Sequence, residues 1–309
     1  MTTVTGSAAG TTAATVEAAA ATVAAAADEA APAAQTAQTN QHYDLDPRIF
    51  GLFLDPLRKY SSGYYREPGL TLERAQEAKL RWVAGQLGLR GGDRLLDVGC
   101  GWGALILFMA REYNARVVGI SPAGNQHGYI AGRAVDLGVA DRVSTVQGYF
   151  EHAALPAGPF DAVTMLGSIV HMPDLVHVMR RARSLLRRGG RYYVSETCFR
   201  NAAARDEFDR RAGTEFVRNS IFGWGDMRPL SDLVRAAEDA GFSVVGVEDL
   251  TDDYRLTIDD WITNVDRSAE EIDQIRPGMA ATLRHYLEVA NAGWGYTTKH
   301  YALVCQRSR

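Results

Sequence analysis

Apolar residues recur at helical spacing twice in the first third of the chain. They are Ile49, Phe50, Phe53 and Leu54 within Asp46 to Asp55, and Leu80, Trp82, Val83 and Leu87 within Leu72 to Leu87. Further on, the pattern changes to short apolar runs bounded by Gly or Asp: Arg94 to Val98, Arg116 to Ile120, Val143 to Gln147, Phe160 to Leu166 and Arg191 to Ser195. Helical stretches over Ala104 to Tyr113, Gln126 to Leu137 and Leu175 to Leu186 separate these runs. Strands alternating with helices of this length predict parallel β-α units and an α/β, doubly wound sheet. Right-handed crossovers then place a ligand at the carboxyl ends of the first strands, where the strand order switches.

After Phe199 the rhythm alters. Asn201 to Phe216 is charged and helical, Asn219 to Arg228 is rich in aromatics and Gly, and Ser231 to Ala240 is another helix. Phe242 to Leu250 and Lys299 to Cys305 read as late strands, which brings the sheet to seven. Residues 199–229, with parts of 256–293, are expected to cover a cavity. Residues 1–39 are almost entirely Ala, Thr, Val and Gln, too poor in large side chains to build a core. They read as a disordered tail, with an extra helix over Ala13 to Ala31 as the alternative, and 40–309 as one domain.

The 309 residues, 46% of them hydrophobic, suffice for one large α/β core without disulfides or metal. A net charge of -4 argues against a nucleic-acid partner, which needs clustered Lys and Arg. Cys100, Cys198 and Cys305 are odd in number and far apart, which suits reduced thiols and a cytoplasmic setting. No secretory leader, membrane span or basic amphipathic helix is evident, so stable membrane association is not expected. The seven histidines, His127, His152, His177 and His300 among them, do not pair with acids at ligand spacing, so no metal is expected. A homo-oligomer is compatible with all of this.

The run Leu95-Leu96-Asp97-Val98-Gly99-Cys100-Gly101-Trp102-Gly103 ends a strand and begins a helix. Three glycines at alternate positions let the backbone approach a ligand and leave helix N–H groups facing it. The run lacks the spacing of the nicotinamide fingerprint and the Gly-Lys-Ser/Thr ending of a phosphate loop. Asp97 would repel a pyrophosphate, whereas it suits the sulfonium and amino group of S-adenosylmethionine.

From here the sequence resembles S-adenosylmethionine-dependent methyltransferases, and among them the cyclopropane-fatty-acid and mycolic acid synthase group. The resemblance is carried by His42-Tyr43-Asp44-Leu45, Phe53-Leu54-Asp55-Pro56, Tyr60-Ser61-Ser62-Gly63-Tyr64-Tyr65, Thr71-Leu72-Glu73 and Ala75-Gln76-Glu77-Ala78-Lys79. It implies a Rossmann-like methyltransferase fold. It also implies that Tyr60 and Ser61 close over the methionine part of the cofactor, that Gly99, Gly101 and Gly103 line it, and that Ser121 and Gln126 hold its ribose. Tyr149, in Gly148-Tyr149-Phe150, takes the place of an aromatic beside adenine.

The segment Ser168-Ile169-Val170-His171-Met172-Pro173-Asp174 is similar both to that group and to small-molecule O-, N- and C-methyltransferases, where it floors the space between cofactor and acceptor. Ser168 is thereby a cofactor-side residue, and His171 a candidate general base, with loop capping as its plain alternative. Val170 stands where the cyclopropane group has the glutamate of its bicarbonate site, which weakens an expectation of ring closure. Glu196, ending the fifth strand, is a second candidate base or acceptor-binding group. Phe216, Phe222, Trp224, Met227, Tyr254, Trp294 and Tyr296 are candidates for an aromatic cavity, or for a well-packed lid; the role of Glu215 among them is open.

The resulting expectation is methylation of a small hydrophobic secondary metabolite, with an alkene or prenyl carbon as the favoured acceptor. O- or N-methylation of a natural product, a cyclase that merely retains the cofactor, and fatty-acyl methylation or cyclopropanation are the alternatives. A terpenoid diphosphate fits less well, since related enzymes favour a glutamate where Gly167 stands.

Overall fold

In the computed structural model, residues 46–210 and 225–308 are described. The Ala-rich tail, the His42–Leu45 motif and the candidates Glu215, Phe216, Phe222 and Trp224 lie outside them.

The helix Leu72–Leu87 begins and ends where the sequence places it. Thr71 caps its start by accepting from the Arg74 N–H at 3.4 Å, and Gly88, at φ 69°, closes it in the left-handed region. Its buried stripe holds Leu72, Ala75, Leu80, Val83, Ala84 and Leu87, together with Gln76 and Lys79. The helix Pro47–Phe53 precedes it.

Seven strands form one sheet in the order β3-β2-β1-β4-β5-β7-β6. They are β1 Arg94–Val98, β2 Arg116–Ser121, β3 Val143–Gln147, β4 Phe160–Leu166, β5 Leu186–Phe199, β6 Phe242–Asp249 and β7 Thr298–Arg307. β1 to β5 pair in parallel, and β7 inserts antiparallel between β5 and β6. The order reverses between β1 and β4, so the predicted ligand position falls beside the glycine run.

β5 runs well past the predicted Arg191 to Ser195. The apolar pattern stops at Glu196, but β7 stays paired with β5 through Phe199, opposite Thr298. Pairing partners, not local hydrophobicity, set that end.

Alternation along the strands divides the core. Leu96, Val98, Tyr192, Val194 and Cys198 pack on one face with the helices Leu175–Leu185 and Leu230–Asp239. Leu95, Tyr193, Ala302 and Val304 pack on the other with Leu72–Leu87 and Ala104–Glu112. A third cluster joins Pro47–Phe53 to the helices Thr251–Arg267, Ala269–Ile275 and Met279–Ala292. No helix among the described residues is long and apolar enough to cross a membrane.

Candidate functional site

β1 ends in a backbone that only glycine adopts easily. Gly99, Gly101 and Gly103 have φ of 78°, 54° and 84°. A Cβ on Gly99 would sit 2.4 Å from Ser168 Cβ, and one on Gly103 2.7 Å from Ile130 Cγ1. Among the described residues a Cβ on Gly101 would meet nothing within 4 Å, which sets this glycine apart from the other two. Ser168 locks the loop by donating from Oγ to the Val98 carbonyl at 2.7 Å. Its hydroxyl therefore braces the cradle.

Asp97 is buried beside this loop. Its Oδ1 accepts from Thr164 Oγ1 at 2.7 Å, while its Oδ2 is buried and unpartnered. Burial raises its pKa, opposed by the Lys59 and Lys79 charges and the Thr164 bond. An orphaned carboxylate oxygen at the mouth of a glycine cradle is an acceptor waiting for a cationic donor, because leaving it unmatched is costly. The donor set here therefore fits the amino group expected from the sequence.

Tyr60 and Ser61 stand on the loop above. The Tyr60 ring lies 5.1 Å from that of Trp261 and 6.0 Å from that of Phe50. Ser61 accepts at its carbonyl from Gln76 Nε2 at 2.8 Å and at Oγ from Lys79 Nζ at 3.1 Å. Ser121 and Gln126 meet at the end of β2, Ser121 Oγ donating to Gln126 Oε1 at 2.7 Å. Tyr149 follows β3 directly, half-buried, in a turn closed by bonds from the His152 and Ala153 N–H groups to its carbonyl. The carboxyl ends of β1, β2 and β3 thus each carry one part of the predicted cofactor set.

His171 ends a short 3-10 turn, Ile169–His171, half-buried after β4. Glu196 is held apart from Asp97: by strand alternation it shares a face with Tyr192, Val194 and Cys198, and it lines a narrow cleft with Leu175 and Leu233. Its carboxylate accepts from the Val170 N–H at 3.2 Å and the Thr197 N–H at 2.9 Å. Burial nevertheless raises its pKa to about 7. With both oxygens engaged by the backbone, Glu196 clamps the turn that carries His171.

The aromatic set divides. Tyr254 packs within 5.9 Å of Trp261, 5.1 Å of Trp294 and 4.7 Å of His300, ring centre to ring centre. Tyr296, expected in the same lining, is instead 78% exposed and borders a surface cleft with Phe208 and Arg200. It follows the helix Met279–Ala292 in a turn built around Gly293 and Gly295, which throws it outward.

Three buried groups escaped the sequence reading. Lys79 lies three and four residues from Gln76, Ala75 and Val83 on one helical stripe, so helical period was the available signal. Its ammonium is pushed well below its usual range by burial. His300 alternates inward with Ala302 and Val304, a period-two signal. Its Nδ1 meets Thr197 Oγ1 at 3.2 Å, its Nε2 is buried without a partner, and burial followed by the Lys79 charge lowers its pKa to about 3. Lys59 lies in a turn, where no periodicity marks it.

Comparison with known proteins agrees with this architecture. A family model described as mycolic acid cyclopropane synthetase matches residues 31–303. A probable fatty acid methyltransferase of Pseudomonas putida is 33% identical over 239 residues, covering 76% of this chain; the match spans 60% of the length of that relative. Cyclopropane mycolic acid synthase 1 of Mycobacterium tuberculosis is 30% identical over 241 residues, covering 73% of this chain and 80% of that one. Among solved structures, the cyclopropane synthase MmaA2 from Mycobacterium tuberculosis superposes with a TM-score of 0.79 at 23% identity, over 87% of this chain and 97% of that one. At that identity the likeness speaks to the fold.

Proposed function

Because this chain belongs to the mycolic acid cyclopropane synthetase family, we propose that it is an S-adenosylmethionine-dependent methyltransferase acting on a small apolar acceptor, with an alkene or prenyl carbon as the methylated atom. One observation carries the cofactor reading: the buried, unpartnered Asp97 Oδ2 beside the open glycine cradle. When bound, the cofactor supplies an electrophilic methyl group on a sulfonium sulfur.

The chain's own residues hold and orient. Asp97 Oδ2 takes the amino group, with Thr164 fixing the carboxylate's rotation through Oδ1. Gly99 to Gly103 let the backbone close on the methionine end under Tyr60 and Ser61. Ser121 and Gln126, already bonded to each other, offer their remaining polar atoms to the ribose, and Tyr149 packs on the adenine.

For the acceptor, the half-buried rings of Tyr60, Tyr254 and Trp294 offer aromatic faces, with the buried Trp261 packed between Tyr60 and Tyr254 as their backing. Such faces bind apolar chains and stabilise positive charge developing on an alkene carbon. His171 takes the proton that the methylated acceptor must lose, and Glu196 keeps His171 in place through the Val170 N–H. Alignment of acceptor and methyl by these fixed groups supplies much of the rate. Val170 in place of an acid favours an open methylated product over a ring.

The test is calorimetric titration of the full chain with S-adenosylhomocysteine. Wild type is expected to bind at micromolar concentration or tighter, and Asp97→Asn to bind far more weakly. A folded wild-type protein with no detectable binding would sink the reading.

A further inference from the structure

The turn that follows helix Pro47–Phe53 sends two neighbouring basic residues to opposite destinations. The Asp55 carboxylate accepts from the Leu57 N–H at 3.0 Å and the Lys59 N–H at 2.8 Å, which folds Asp55 to Lys59 tightly. Arg58 sits at φ 53°, a region side-chain-bearing residues rarely adopt. Its guanidinium lies 4.5 Å over the Tyr129 ring and 5.5 Å from that of Trp102. Lys59, one residue on, is only 7% exposed.

A buried ammonium is costly unless it is paired. Lys59 feels the Asp97 and Asp55 charges, with burial the larger influence pulling its pKa down. Among the described residues, however, no carboxylate lies within ion-pair distance of its Nζ, and no hydrogen bond engages it. Lys79 is differently placed, since its Nζ is already given to Ser61 Oγ. The local strain at Arg58 and the inward turn thus deliver a cation that has no partner of its own. Asp97, within its electrostatic reach, has an oxygen with none either.

Two opposite charges that sense each other without pairing match a ligand bearing both signs at short separation. We propose that Lys59 and Asp97 form a receptor for an α-amino acid group, Lys59 Nζ taking the carboxylate and Asp97 Oδ2 the amino group of the methyl donor's methionine end. This rests on the methyl-donor reading above. It assigns to Lys59 a role in binding the donor that neither the glycine motif nor periodicity indicates.

The experiment is a cycle in ligand and protein by calorimetry on the full chain. The probes are S-adenosylhomocysteine and its decarboxylated analogue, which keeps the amine and lacks the carboxylate. Wild type is expected to bind the analogue roughly ten- to a hundredfold more weakly, the weight of one charge-assisted hydrogen bond. Lys59→Met loses that same factor for S-adenosylhomocysteine and no longer distinguishes the two compounds; Lys59→Gln, with a polar neutral head, is the second variant should the first not fold. A preference for the carboxylate that survives in the variant, or an equal loss for both compounds, overturns the assignment while leaving the donor reading intact. Failure of wild type to bind either compound removes the donor reading itself, and this inference with it.

Discussion

Removing the charge of Glu196 should make the protein relatively more stable as pH rises. In the folded state burial raises this carboxyl from its ordinary 4.5 to about 7, against the opposing pull of the Thr197 and Val170 N–H groups. Below pH 4.5 it is protonated whether folded or unfolded, and no cost arises. Between 4.5 and about 7 the unfolded chain releases the proton that the folded chain keeps, so stability falls as pH rises, and above about 7 the full cost is present. The gap between 4.5 and about 7, at roughly 1.36 kcal/mol per pH unit, comes to about 3 kcal/mol. Glu196→Gln has no charge to lose. Its amide will face one backbone N–H unfavourably, a penalty of about 1–3 kcal/mol that does not vary with pH. Denaturant unfolding of both proteins at steps from pH 4.5 to 8 isolates the difference, because the other titrating carboxylates are common to both. The stability of Glu196→Gln minus that of wild type should climb by about 3 kcal/mol across the range. Parallel pH profiles would refute the reasoning and show that Glu196 stays ionised in the fold.

His171→Ala should slow methyl transfer roughly 10²–10⁴-fold, the usual worth of a positioned base, and leave S-adenosylhomocysteine affinity nearly unchanged in titration; equal loss of both would remove His171 from the chemistry. Gly99→Ala and Gly101→Ala should separate packing from ligand space. The first adds a Cβ 2.4 Å from Ser168 and should cost about 3 kcal/mol in denaturant unfolding, combining strain with the clash. The second meets nothing within 4 Å among the described residues and should cost only about 1 kcal/mol of stability while weakening S-adenosylhomocysteine binding strongly.

Much of the scaffold is readable because its signals are local. Helix Leu72–Leu87 has a capping Thr71 and a terminating Gly88, and β1 and β4 are apolar runs with polar brackets. The glycine run and Asp97 are legible for the same reason: their chemistry is contiguous. What escapes the sequence is set by distant partners. The reach of β5 depends on β7, and the engagement of Glu196 by the Val170 N–H depends on a turn 26 positions away. Lys59 becomes buried only because Asp55 folds the intervening turn. The outward swing of Tyr296 comes from a glycine-rich turn, which residue type alone did not reveal.

The antiparallel insertion of β7 bears on how the molecule comes into being during synthesis. Among the described residues, β6 pairs only with β7, and the outer edge of the fourteen-residue β5 is covered only by β7. A ribosome that has delivered the chain as far as the helix Met279–Ala292 therefore holds a half-built sheet with one long edge open and β6 still without a neighbour. Such edges are where nascent chains stick to one another. Intercalation of Thr298–Arg307 closes the edge, recruits β6 and brings His300 against Thr197 in one step. Completion of the sheet and seating of His300 beside the aromatic rings are consequently a single event, one that must wait until the other six strands have been made.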